Sequence, residues 1–259
     1  MVNHLLTITH QMARITLQHP PANVLTLAIL DELERAFHEV EDDPDVRVII
    51  VTGAGRFFCA GADIKELAHL NHHRKGCEYA ARGQALLNRI ECFDKPVVAA
   101  INGTCVGGGL ELALACHVRV AAAGVMMGLP EIKLGLIPGF GGTQRLPRVV
   151  GPSKATEMIL SGESVTAEQA WQIGLVSRVV PSSDLMAQTE TVARVMASHD
   201  PTTIHAALHA IRSALELPLA EGLAREAELF GQLCASREKQ DAIRAFLEKR
   251  QPNPAGTKG

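Results

Sequence analysis

Two glutamates and a run of glycines in the middle of the chain could together carry out acid/base chemistry. Three consecutive glycines, 107–109, are followed by Glu111 and, after Pro130, by Glu131. The side chains around Glu111, from Leu110 to Cys116, are otherwise aliphatic or small. If this run is a core helix, Glu111 is buried, and burial raises the pKa of a carboxyl group toward neutrality, where a general acid or base works best.

The glycine run itself predicts a binding site for developing negative charge. Glycines at the start of a helix let the main chain approach a ligand closely and leave the first N–H groups without intrahelical acceptors. Glu111 lies three residues after Gly108, about one helical turn, so its side chain can lie beside whatever the Gly108 amide binds. The alternative is that Glu111 only pairs with a buried arginine and that the glycines only form a tight turn.

The second glutamate favours the catalytic interpretation. Glu131 precedes Gly135, Gly139 and the pair Gly141–Gly142, which predict a loop that again opens a helix. Two carboxylates in apolar settings on either side of a cleft are typical of paired acid/base catalysis.

The stretch 102–146 resembles the crotonase superfamily, and because both glutamates are present it is most similar to enoyl-CoA hydratase. The resemblance extends to residues 58–65 and, more loosely, from about residue 5 to residue 252. It implies an α/β protein with a crotonase-like ββα spiral core and a C-terminal helical trimerisation region. It also implies reversible syn hydration of a trans-2-enoyl-CoA to a 3-hydroxyacyl-CoA.

By this resemblance, the N–H groups of Ala62 and Gly108 bind the thioester oxygen, while Glu111 and Glu131 bind the water molecule and transfer its protons. Which glutamate is the acid and which the base stays open. Other residues that the resemblance places near substrate or coenzyme A are Ala60, Asp63, Ile64, Lys65, Gly139, Phe230, Phe246 and Lys249. Lys65 could equally be a solvated helix lysine, and the last three could be core phenylalanines and a surface lysine. Coenzyme A is part of the substrate, no metal or redox cofactor is expected, and the family forms trimers, commonly paired into hexamers.

The elements that must position these residues follow an alternating pattern that favours the α/β class. The sequence predicts a hairpin at 5–9 and 13–18, a helix at 27–40 and a buried strand at 46–52. It further predicts a polar segment at 68–75, a helix at 79–90, and strands at 97–101, 118–123 and 126–129. Three further helices are predicted at 202–217, 219–235 and 237–249. We therefore expect a catalytic core over residues 1–194 and a helical region over 195–259.

Composition limits the possible partners. The 259 residues carry a formal net charge of −3 and a pI near 6.4, which gives no general basic surface for nucleic acid or anionic lipid. The six cysteines show no metal-type spacing, and His69, His72, His73 and Cys77 lack a second cluster that would complete a metal site. There is no targeting segment and no membrane-spanning run, so we expect a cytoplasmic protein with a small-molecule substrate.

Three other functions are alternatives to hydration. An enoyl-CoA isomerase of the same fold usually needs one catalytic carboxylate, and a decarboxylase or thioester hydrolase normally replaces one glutamate. Some relatives bind RNA through a lysine-rich first helix, but here that helix has four acidic residues against Arg35. Salt-sensitive retention of RNA in a gel shift at physiological salt would favour the RNA-binding alternative.

Overall fold

The computed structural model describes residues 4–250, which form two β-sheets and a set of helices. The strands are β1 (His4–Thr9), β2 (Met12–Leu17), β3 (Val48–Gly53), β4 (Phe57–Cys59), β5 (Val97–Ile101), β6 (Thr104–Val106), β7 (Val118–Ala122), β8 (Met126–Gly128), β9 (Val165–Thr166) and β10 (Arg178–Val180). The α-helices are α1 (Leu27–Glu41), α2 (Ile64–Ala68), α3 (His73–Glu91), α4 (Gly108–Ala115), α5 (Gly142–Val150), α6 (Pro152–Ser161), α7 (Ala167–Gln172), α8 (Leu185–Ala197), α9 (Pro201–Glu216), α10 (Leu219–Cys234) and α11 (Arg237–Arg250). Short 3-10 helices lie at Glu131–Leu134 and Ser182–Asp184.

The larger sheet has six strands in the order β1-β2-β3-β5-β7-β10. β1 and β2 form an antiparallel hairpin, and all other neighbours are parallel. The predicted hairpin is confirmed, and the strands predicted at 46–52, 97–101 and 118–123 match β3, β5 and β7 to within two residues. Nearly every residue of β3 and β5 is buried, as expected for parallel strands that are covered on both faces.

The smaller sheet has four short strands in the order β4-β6-β8-β9. β4, β6 and β8 are parallel, and β9 pairs antiparallel with β8. Of these strands, the sequence predicted only β8, which lies in the apolar run 125–129. β4, β6 and β9 were not predicted, because two or three residues are too few to show the alternation of side chains in a strand. Since parallel strands end at the same edge of a sheet, the segments that follow β4, β6 and β8 meet at one edge.

Two long helices, α1 and α3, pack against each other, and α3 also packs against α4. α1 begins at a capped end, where Thr26 Oγ1 accepts a hydrogen bond from Ile29 N at 3.2 Å. The apolar side chains on one face of this helix, among them Leu30, Leu33 and Phe37, are buried. α3 begins at His73, six residues before the predicted start at residue 79. The polar segment predicted at 68–75 is therefore corrected: it comprises the end of α2, a short connection and the first residues of α3.

By its contacts the chain divides into two compact units, one ending at Ser198 and one beginning at His199. The boundary predicted at residue 195 lies inside α8. The second unit contains α9, α10 and α11, and the helices predicted there match them to within one residue at each end. Across residues 4–250, no helix is both long and apolar enough to cross a bilayer.

Candidate active site

Three loops are held side by side where β4, β6 and β8 end. The loop after β4 bonds to the segment before α1, because Ala60 N donates to Ala22 O at 3.0 Å and Leu25 N donates to Gly61 O at 2.8 Å. At the end of β6, Gly107 N donates to the carbonyl oxygen at the end of β8 at 2.9 Å. Because β4 also pairs with β6, the loop that contains Ala62 lies next to the start of α4.

Gly107 forms the sharp turn from β6 into α4. Its φ angle is +56°, a region that side chains with a Cβ rarely adopt. A Cβ at this position would also lie 3.1 Å from Glu131 Oε1 and 3.6 Å from Gly61 Cα. A glycine is therefore needed for conformation and for space, and it allows the Glu131 carboxyl group to lie against the start of α4.

The main-chain amides of Ala62 and Gly108 are brought together by this turn. A Cβ on Gly108 would lie 3.4 Å from Ala62 N, and a Cβ on Gly61 would lie 3.2 Å from Gly108 N. Across residues 4–250, neither Ala62 N nor Gly108 N donates to a main-chain or side-chain oxygen of the chain. Two adjacent N–H groups without protein acceptors can bind one negatively charged oxygen.

Glu111, in the first turn of α4, is buried, with 2% of its surface exposed. Its Oε1 accepts two main-chain hydrogen bonds, from Phe140 N at 2.8 Å and from Gly142 N at 2.7 Å. Burial raises the pKa of the Glu111 carboxyl group to about 7; the bond from Gly142 opposes this rise, and the charge of Glu131 adds to it. At neutral pH such a group can both accept and donate a proton.

Glu131 begins the 3-10 helix after β8 and is half-buried. Its Oε2 is buried and has no hydrogen-bond partner among the residues that the structure describes. Burial raises the pKa of this carboxyl group as well, partly offset by a main-chain hydrogen bond. The structure thus brings together the two carboxyl groups that the sequence singled out, beside two unpaired amides.

Comparison with known proteins assigns the chain to a family. The profile of the family described as enoyl-CoA hydratase/isomerase matches residues 7–256. The chain belongs to the enoyl-CoA hydratase/isomerase family. It is accordingly an enzyme of that family.

Relatives and solved structures agree with this membership over almost the whole chain. The chain is 44% identical over 252 residues to a probable enoyl-CoA hydratase of Bacillus subtilis. The match covers 97% of this chain and 98% of the relative. The chain is also 44% identical over 249 residues to the 2,3-dehydroadipyl-CoA hydratase of Escherichia coli, covering 93% and 94%. An enoyl-CoA hydratase structure from Bacillus anthracis matches with a TM-score of 0.91 and 37% identity, covering 96% of this chain and 98% of that one. The predicted crotonase-like ββα fold is therefore confirmed.

Residues 60–65, for which the family resemblance implies contacts with coenzyme A, lie before and at the start of α2. Asp63 caps this helix, since its Oδ1 accepts a hydrogen bond from Lys65 N at 2.7 Å. The side chains of Ile64 and Lys65 are exposed, whereas Ala60 and Ala62 are half-buried. Ile64 and Lys65 are therefore accessible to a large ligand.

The other predicted contacts are spread over both units of this family member. Gly139 lies in the turn before α5, where its carbonyl oxygen accepts a hydrogen bond from Gln84 Nε2 at 2.8 Å. Phe230 and Phe246, in the second unit, are 68% and 55% exposed, so neither is a core phenylalanine within that unit. The side chain of Lys249 lies outside the described residues.

The sequence analysis did not identify two residues, Arg145 and Asn23, that hold the loops of the site in position. Buried Arg145 donates to Phe140 O at 3.0 Å and to Glu91 Oε2 at 2.8 Å, which fixes the turn whose amides bind Glu111. Buried Asn23 donates to the carbonyl oxygens of Ala54 and Phe57, each at 2.9 Å, and anchors the segment before α1. In the sequence, these roles were indicated only by the position of Arg145 within the glycine-rich stretch and by that of Asn23 shortly after two prolines.

Proposed function

We propose that the chain catalyses the reversible syn addition of water to a trans-2-enoyl-CoA, which gives a 3-hydroxyacyl-CoA. The observation that carries this proposal is that two carboxyl groups with raised pKa, Glu111 and Glu131, adjoin the unpaired amides of Ala62 and Gly108. Membership of the enoyl-CoA hydratase/isomerase family and the hydratase names of the relatives support it.

The two amides stabilise the charge that develops on the thioester oxygen. Conjugation makes carbon 3 electrophilic only as far as the carbonyl oxygen can take up negative charge, so the reaction passes through an enolate-like state. The N–H groups of Ala62 and Gly108 bind that oxygen. Removal of one such donor typically costs roughly a hundred- to a thousand-fold in rate, which makes this the largest single contribution.

The two glutamates bind the water molecule and move its protons. One carboxylate takes a proton from the attacking water, and the neighbouring carboxyl group delivers a proton to carbon 2. The unpartnered Oε2 of Glu131 is available to hold the water, and Glu111 is kept in place by the amides of Phe140 and Gly142. The pair titrates as a unit, because each charge affects the ionisation of the other.

The coenzyme lies across the start of α2 in this proposal. Ala60, Asp63, Ile64 and Lys65 line its path next to the thioester, and Gly139 borders the acyl group. Phe230, Phe246 and Lys249 are proposed to contact the coenzyme of a neighbouring copy, as the family resemblance implies.

The test is to identify the product that forms from crotonyl-CoA in D2O. We expect 3-hydroxybutyryl-CoA with one deuterium at carbon 2, in the single relative configuration that syn addition gives. A 3-enoyl-CoA that is converted to the 2-enoyl isomer, with no hydration of crotonyl-CoA, would instead assign the chain to the isomerases. No turnover of either substrate would contradict the proposal.

A further inference from the structure

Tyr79, in the middle of α3, has a buried hydroxyl group without a partner. The residue is 8% exposed, and within the described part of the chain its hydroxyl oxygen forms no hydrogen bond. Buried polar atoms in proteins are nearly always paired, so an unpaired hydroxyl group near an active site calls for an explanation. The reaction proposed above makes no use of it.

The position of Tyr79 connects it to the proposed site. Its ring packs on the ring of Phe140, with centroids 5.4 Å apart. The amide of Phe140 binds Glu111, and its ring lies 3.5 Å from where a Cβ on Gly108 would be. Tyr79 is therefore separated from the proposed oxyanion site and from Glu111 by a single aromatic ring.

Tyr79 also lines a cavity of about 370 Å³ that opens between α1 and α3. This volume is within the range of small-molecule pockets, about 300–1,000 Å³. Leu27 and Leu70 give the cavity an apolar part next to the tyrosine. Tyr79 therefore lies between this cavity and Phe140, which borders the proposed thioester site.

The charges around the cavity are mostly paired with one another. Arg82 is ion-paired with Asp31 and Glu34, and Glu78 is bonded to Arg74 at 2.8 Å. Lys75 lines the same cavity with an exposed side chain. Of the two cations that line the cavity, Arg82 is therefore paired with carboxylates, and Lys75 is exposed at the surface.

The surroundings of the Tyr79 hydroxyl group are negative. Burial raises the pKa of this tyrosine, and the charges of Glu66, Asp63 and Glu111 raise it further. The phenol therefore stays protonated at neutral pH and can donate as well as accept a hydrogen bond. The same three carboxylates oppose the binding of a negatively charged group at this position.

We propose that a short acyl chain extends from the thioester past Phe140 to Tyr79, which determines acyl-chain specificity: the Tyr79 hydroxyl group hydrogen-bonds an uncharged oxygen substituent, a hydroxyl or a carbonyl, on that chain. The site then favours oxygenated acyl chains over plain alkyl chains of equal length. This inference rests on the proposed hydratase function and names its substrate class. The competing substrate is a chain that ends in a carboxylate, which Lys75 would attract.

The test compares four six-carbon substrates in the wild type and in Tyr79→Phe: hex-2-enoyl-CoA, its 5-hydroxy and 6-hydroxy derivatives, and the diacid hex-2-enedioyl-CoA. In the wild type we expect kcat/KM for at least one hydroxylated substrate to exceed that for the alkyl substrate by roughly tenfold, the value of one hydrogen bond. In Tyr79→Phe that ratio should fall to about one, while thermal denaturation shows that the variant is folded.

Two results would overturn the inference. One is a wild type without preference for a hydroxylated chain, or a preference that persists in Tyr79→Phe. The other is a wild type that favours the diacid and loses this preference in Lys75→Met.

If the wild type turns over none of these four six-carbon substrates, the inference is tested by binding, which can be measured separately from hydration. Calorimetry with the saturated thioesters hexanoyl-CoA, 5-hydroxyhexanoyl-CoA and 6-hydroxyhexanoyl-CoA then decides. Tighter binding of a hydroxylated thioester by the wild type but not by Tyr79→Phe supports the inference, and equal binding overturns it.

Discussion

At the scale of single residues, the raised pKa of Glu111 makes the stability of the fold depend on pH. The ordinary value of 4.5 rises to about 7 in the folded chain because the carboxyl group is buried. Between these values the folded state binds more protons than the unfolded state, so the free energy of unfolding decreases as pH rises. Above pH 7 the full cost is present, on the order of 3 kcal/mol.

Replacement of Glu111 by glutamine should remove most of this pH dependence. Glutamine has no charge to bury, and its carbonyl oxygen can still accept the amides of Phe140 and Gly142. We expect urea denaturation to show that the free energy of unfolding of Glu111→Gln, relative to that of the wild type, increases by about 3 kcal/mol from pH 5 to pH 8. If the free energies of unfolding of the two proteins differ by the same amount at pH 5 and at pH 8, the raised pKa of Glu111 is contradicted.

At the scale of elements, adjacent glycines at the start of α4 have different roles that substitution can separate. A Cβ on Gly109 would lie 2.2 Å from Cys59 O, a clash with buried main chain, whereas the closest neighbours of a Cβ on Gly108 lie at 3.4 Å. One of those neighbours is Ala62 N, so a methyl group on Gly108 crowds the space in front of that amide without disturbing the packing.

Gly109→Ala should therefore lose stability, by about 1–3 kcal/mol, as overpacked cores do. Gly108→Ala should keep the melting temperature of the wild type but lower kcat/KM by at least roughly tenfold, because its methyl group obstructs the oxyanion donor Ala62 N. Thermal denaturation and hydratase assays of both variants provide the comparison. If Gly108→Ala is as active as the wild type, the thioester oxygen does not lie in front of the Ala62 amide.

The sequence allowed the long elements to be predicted but not the sheet that positions the site. β3 and β5 are recognisable in the sequence as nearly continuous apolar runs and α1 by its helical periodicity, whereas β4 and β6 have three residues each. Glu111 and Glu131 stood out because a carboxylate in an apolar run is uncommon. The proposed roles of Ala62 and Gly108 came only through the family resemblance, since a main-chain donor has no side chain that would mark it.

Residues that act through contacts with distant segments were not predictable. Arg145 bonds to Glu91 and Asn88 on α3, and Tyr79 packs on Phe140 from another part of the chain. Such pairs depend on how helices lie in the folded chain, which periodicity does not give.

At the scale of the whole molecule, the second unit presents apolar side chains that suit association with further copies. Leu219, Leu223 and Phe230 follow one face of α10 and are 78%, 54% and 68% exposed within the described residues. Exposed apolar stripes of this kind commonly mark protein interfaces. Together with the family resemblance, they favour a homotrimer, single or paired.

Sedimentation analysis should therefore give a mass of three or six chains of 27.7 kDa. The double variant Leu219→Glu/Leu223→Glu puts charges into the stripe and should shift the mass toward one chain while far-UV circular dichroism stays unchanged. A wild type that sediments as a single chain at micromolar concentration would contradict the trimer.

We propose above that Glu111 and Glu131 bind one water molecule and move its protons beside two main-chain amides. The most direct test is the rate at which the conjugated absorbance of crotonyl-CoA disappears. Wild type, Glu111→Gln and Glu131→Gln are compared at equal concentration, with circular dichroism to show that all three are folded. We predict an active wild type and a loss of at least roughly a hundredfold in kcat for each variant, the scale of acid/base catalysis. A wild type without hydration activity, or a glutamine variant with full activity, would contradict it.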